Sequence, residues 1–138
     1  MRAEEKKLGR VFHLEFDEDD DFYEEFNHFV KEKNIRSASL IVFGAMKETD
    51  IRTGFRDIIG PSSRRHFHDW RELIAVGNIS WPEKPPAVRG EEEWSEPQPY
   101  VHLHLALSGG PYKPDEILVG HLSAGIVKGM FAEIHEFV

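Results

Sequence analysis

Hydrophobic and polar positions alternate with period two along most of this chain and with a period near four in one place. From Gly9, the side chains of Phe12, Leu14 and Phe16 fall on one side and Val11, His13 and Glu15 on the other, which predicts a first strand. Five consecutive acids, Asp17 to Asp21, end that pattern. They lack the spacing and the glycine of an EF-hand, whereas acids at a helix start are favoured by the macrodipole. Phe22, Phe26, Phe29 and Val30 then recur at helical spacing among Glu24, Glu25, Asn27, His28 and Lys31, predicting a helix to about Lys33 with Asn34 as its stop.

Ser37 to Met46 is a short apolar run rich in branched residues, read as a buried strand in which Gly44 marks a bulge or a close backbone approach. Asp50 to Arg56 alternates and reads as its hairpin partner across Lys47-Glu48-Thr49. Residues 57 to 69 read as a connector, and the His66-x-His68 pair within it reads as surface, metal ligation being the alternative. Trp70 to Ser80 is a further strand. Trp81 to Pro99 reads as a long acidic loop, with five of the eight prolines and two tryptophans, Trp81 and Trp94. Val101 to Leu107, a strand around His121 and a last strand from Met130 to Phe137 follow. The expected fold class is α+β: a mainly antiparallel sheet of about seven strands with one flanking helix, and a second short helix after Arg56 or around Ser123.

The chemistry concentrates between Pro99 and Gly125. Val101, Leu103, Leu105 and Leu107 share one strand face, leaving His102 and His104 on the other, where two imidazoles can turn their nitrogens toward one ion. His121 joins them if its strand pairs so that it lies opposite His104 or His102, or at a bulge between them. Three neutral imidazoles would leave Zn²⁺ a fourth position, and another divalent transition metal would also suit them. Glu72, flanked by apolar positions, is expected to be half-buried, either paired with an arginine or acting as a fourth metal ligand or as the general base of a metal-dependent lyase or hydrolase.

Composition narrows the classes. At 138 residues the chain fits one domain, here a charged tail over residues 1–8 and a domain over 9–138. No cysteine is present, so a metal must be held by nitrogen and oxygen ligands. A formal net charge of −8 repels nucleic-acid backbones and anionic membranes, leaving Ser62-Ser63-Arg64-Arg65-His66 as the one compact basic candidate outside the tail. No apolar run approaches a membrane span and the first ten residues hold no signal core, so the expectation is a cytoplasmic protein.

Several segments in order, Gly9-Arg10-Val11-Phe12-His13-Leu14, Ile35 to Gly44 ending in Phe-Gly-Ala, Glu72-Leu73 with Gly77-Asn78-Ile79-Ser80, His102-Leu103-His104 and Gly120-His121-Leu122, resemble the PPC (plants and prokaryotes) domain from Gly9 to Val138. The resemblance implies a mainly antiparallel homotrimer and, for prokaryotic members, a DNA-binding role. The chain departs from the plant pattern in having no Arg-Gly-Arg hook and no basic extension. Acetolactate decarboxylase is similar in fold and carries a His-x-His pair with a later histidine that hold zinc, which implies the same ligand role for His102, His104 and His121. The expected function is therefore a DNA-binding or regulatory trimer with a three-histidine metal site, the alternative being a small metal-dependent lyase or hydrolase acting on a small molecule.

Overall fold

The structure is a computed structural model that describes residues 1–54, 63–86 and 92–138. In chain order the elements are β1 (Leu8–Phe16), α1 (Phe22–Lys33), β2 (Ala38–Thr53), β3 (Ser63–Phe67), β4 (Arg71–Ser80), β5 (Tyr100–Ser108) and β6 (Ile117–Phe137). The sheet runs β1-β6-β5-β4-β2-β3, and because β6 also pairs with β2 the ladder closes on itself. Every strand pairing is antiparallel.

Six strands among the described residues replace the seven expected, for two reasons. Lys47-Glu48-Thr49 holds no turn-forming glycine, proline or asparagine, so β2 runs through it and absorbs the bend in register shifts at Ala45/Met46, Met46/Glu48 and Asp50/Ile51. Likewise β6 continues through Ser123 and Gly129, where a short helix and a break were expected. In the other direction, β3 lies in what read as a connector, paired to the end of β2 from Thr49↔Phe67 to Thr53↔Ser63. Residues 55–62, which include the end of the expected hairpin, the other helix candidate and Ser62, lie outside the described residues, as do 87–91. The described parts of the 81–99 segment carry neither helix nor strand.

Helix α1 forms as its sequence directs. The Asp21 carboxylate caps it by accepting from the Glu24 amide at 3.1 Å, and Asn34 closes it in the left-handed conformation at φ 52° and ψ 48°. Phe22, Phe26 and Val30 are fully buried; each contributes about 1.5–3 kcal/mol by leaving water. Phe16, Phe22 and Phe26 stack ring to ring at 5.0–5.8 Å, fixing α1 to the end of β1. Gly44 is a close approach: at φ +141° a Cβ there would stand 2.1 Å from the Gly129 carbonyl oxygen. No helix among the described residues is long and apolar enough to cross a membrane.

The sheet's two faces differ. Leu40, Val42, Leu73, Ala75, Leu103, Leu105 and Leu107 are buried in the core, while the alternating residues Ile41, Phe43, Ile74, Val76, Ile117 and Val119 are exposed on the outer face. Their registers, Ile41↔Val76, Phe43↔Ile74, Ile74↔Ala106 and Ala106↔Val119, make them one apolar patch.

Candidate metal centre

The alternation of β5 buries Val101, Leu103, Leu105 and Leu107 and turns His102, His104 and Ala106 outward. The β5–β6 register sets His121 directly opposite His104. Consequently the three rings gather, with centroids 4.9 Å (His102–His104), 5.1 Å (His102–His121) and 5.6 Å (His104–His121) apart. The Nε2 atoms of His102 and His104 stand 3.1 Å from each other, and one ring nitrogen of each histidine lies within 4.8 Å of the other two.

That spacing fits a metal ion. Bonds of about 2.0–2.1 Å in tetrahedral geometry place neighbouring donor atoms roughly 3.3 Å apart, so the His102–His104 pair already spans one edge of such a site. Electrostatics disfavour a proton on two of the three rings, His121 and His102. Burial, and then the field of His102, His104 and Arg52, pushes the His121 imidazole down to about 4, and burial followed by His104 lowers His102. Tyr100 stacks on His102 at 5.1 Å and 16°, holding the ring against rotation. His104 is exposed, so the site opens to solvent.

Glu72 is not part of this group. It is exposed rather than half-buried, because the apolar residues that flank it on its face, Ile74 and Val76, belong to the outer patch and not to the core. Val76, not Glu72, pairs with His104. Four residues along β4 separate the two, about 13 Å of strand.

Arg52 is the neighbour that sequence reasoning passed over. It pairs with His121 across β2 and β6, and its Nε is buried without a hydrogen-bond partner among the described residues. A Cβ on Gly120 would stand 2.5 Å from the Arg52 carbonyl oxygen, so glycine allows the two strands to close beside His121. The Gly-His pair in the sequence was the available signal. The basic segment resolves into local pairings: Arg64 donates to Asp50 at 2.8 Å, and Arg65 lies over the Phe67 ring at 5.2 Å.

Solved structures share this architecture. A metal-containing protein of Archaeoglobus fulgidus is 21% identical over 99% of this chain and 86% of its own, with a TM-score of 0.76. A candidate DNA-binding protein of Bacteroides thetaiotaomicron is 22% identical over 96% of this chain and 83% of its own, with a TM-score of 0.69. Acetolactate decarboxylase of Bacillus subtilis is 15% identical with a TM-score of 0.54; 95% of this chain is covered but only 53% of that one, so the chain spans about half the decarboxylase. At these identities the likeness is one of fold. No curated protein matches the sequence. Residues 3–135 match the Plants and Prokaryotes Conserved (PCC) domain, and with nearly the whole chain inside that match the protein belongs to this family.

Proposed function

We propose that this protein is a homotrimeric regulatory or DNA-associated PCC-domain protein whose His102, His104 and His121 hold a divalent transition metal, Zn²⁺ being the best suited. The observation that carries the metal reading is the convergence of two imidazole nitrogens to 3.1 Å with a third imidazole opposite. A cysteine-free nitrogen donor set suits a borderline ion. Bound there, the ion would supply Lewis acidity at a position open to solvent. Tyr100 would orient one ring by stacking on His102, and Arg52, paired with His121, would favour an anionic fourth ligand.

Self-association is supported by the outer patch. Ile74 and Val76 are 63% and 57% exposed, and Ile117 and Val119 are 71% and 67% exposed. A contiguous apolar surface of this kind favours burial against other copies of the chain. Val76 pairs with His104, so an assembly through this face would set the metal centre at or beside the interface. The DNA association draws on the family and on the Bacteroides neighbour. Its electrostatic term is small, since the net charge is −8 and Arg64 is already paired with Asp50.

The lyase or hydrolase alternative draws on the open fourth position and on the likeness to the decarboxylase fold. It needs a base other than Glu72 of the same subunit, given the separation along β4. Metal analysis of the purified protein, alongside a DNA mobility shift at low and high salt, tests the whole reading. The loss of one equivalent of metal per chain on His102→Ala with His104→Ala is expected, with any DNA retention weakening as salt rises. Metal content unchanged by those substitutions would remove the proposed centre.

A further inference from the structure

A second group of ligating side chains stands apart from the three histidines. Glu48, His66 and His68 each bring one donor atom to within 4.8 Å of the other two. The His66 and His68 rings meet edge to face at 4.2 Å, and His68 Nδ1 lies 3.3 Å from Glu48 Oε1. That separation matches the roughly 3.3 Å edge of a tetrahedral site with bonds of about 2.0–2.1 Å.

What lies behind His66 decides which of its nitrogens is free. Asp50 pairs with His66 in the β2–β3 register, and its Oδ1 is 2.5 Å from His66 Nδ1. An ionised carboxylate only accepts, so in the neutral imidazole the proton sits on Nδ1 and the lone pair on Nε2. Asp50 is 6% exposed, and its other carboxylate oxygen accepts from Arg64 Nη2 at 2.8 Å, so the group behind His66 is held in place. A buried carboxylate behind an imidazole is the arrangement that orients a metal-bound histidine and raises its basicity. Beside the cluster is a cavity of about 100 Å³ lined by Asp21, Glu48, Thr49, Asp50 and His66. The buried Thr49 hydroxyl has no hydrogen-bond partner among the described residues. The cavity is large enough for ordered water among these polar groups.

We infer that Glu48, His66 and His68 form a second metal site, for a borderline divalent ion such as Zn²⁺, with Asp50 as the residue that positions His66. Two imidazoles and a carboxylate are a donor set that zinc accepts with a fourth position left for water. The site is chemically separate from the three-histidine centre: it offers two carboxylates, Glu48 and Asp50, to balance the ion, where the other offers none.

Zn²⁺ titration of the full chain after stripping with a chelator tests this. Wild type is expected to take up two equivalents, His66→Ala with His68→Ala one, His102→Ala with His104→Ala one, and the fourfold variant none. His68 and His66 are 73% and 40% exposed in their side chains, so their replacement should leave the fold intact, which a thermal melt checks. Asp50→Asn should weaken zinc at this site by about 10- to 100-fold without changing uptake at the other. Loss of all zinc in the His102→Ala, His104→Ala variant overturns the second site, as does uptake by the fourfold variant equal to that of the His102, His104 pair. A single wild-type equivalent that depends on His66 and His68 alone would uphold this site and defeat the three-histidine centre instead.

Discussion

The molecule sets one His-x-His pair on β5 and the other on and just beyond β3, and they differ in what stands around them. Arg52 of β2 pairs with His121, and Asp50, two residues earlier, pairs with His66. His102 and His104 occupy an interior strand whose other face is core, surrounded by an apolar patch and by a third imidazole. His66 sits on β3, the edge of the sheet, with His68 just beyond it and carboxylates at Asp50 and Glu48. The same three-residue motif therefore yields a nitrogen-only cluster that resists protons in one place and a carboxylate-backed cluster in the other. The difference lies in the neighbouring strand and not in the motif.

The largest expected effect separates the two by their metal-linked stability. Zinc at about a thousand times its dissociation constant stabilises a folded site by about 4 kcal/mol, which for a chain of this size is roughly 10 °C in Tm. His102→Ala with His104→Ala should abolish the part of that shift due to the three-histidine centre, and a differential scanning melt with and without zinc measures it. An unchanged shift would mean that β5 holds no ion. Next in size is assembly. Val76→Glu places a carboxylate in the outer patch beside His104, and burying it unpaired at an interface should weaken association by about a hundredfold or more. Arg65→Glu, on the edge strand near the second cluster, should leave the assembly unchanged. Light scattering across a dilution series reads both, and equal behaviour of the two variants would break the proposed interface.

Much of this contrast was legible in the sequence on one side and little on the other. The β5 alternation announces itself because Val101, Leu103, Leu105 and Leu107 are all buried, and the outward position of His102 and His104 follows. What alternation could not supply was the register of β6, set by the turn in which the Gly109 amide donates to the Glu116 carbonyl and the Glu116 amide to the Lys113 carbonyl. β3 escaped notice because an edge strand of Arg64, Arg65 and His66 is held by its backbone ladder and by Asp50, with few apolar positions to betray it. Glu72 misled for the opposite reason. On β4 both faces are apolar, and the face that carries Glu72 is the exposed one. Lys47 and Glu48 read as a turn, yet Lys47 pairs with Asp19 at 2.8 Å and Glu48 reaches His68, so both are polar residues used in mid-strand.

The smallest effect is a pH dependence that belongs to the first cluster in its metal-free form. His121 is held at about 4, first by burial and then by His102, His104 and Arg52, against an ordinary value of 6.5. Between those values the unfolded chain binds a proton at His121 that the folded chain refuses. Stability is therefore unaffected by this group above pH 6.5 and falls as pH drops through that window. His102 is shifted in the same direction and adds to the slope. Carboxylates act lower: Arg10 holds Glu136 below its ordinary 4.5, so the stability of that pair is lost only as pH falls below that value. Melting the metal-free protein at pH 7, 6 and 5 should thus show a decline that His121→Gln makes shallower. Parallel declines in wild type and His121→Gln would mean that burial does not hold a proton off His121, and the contrast between the interior and edge clusters would then rest on metal binding alone.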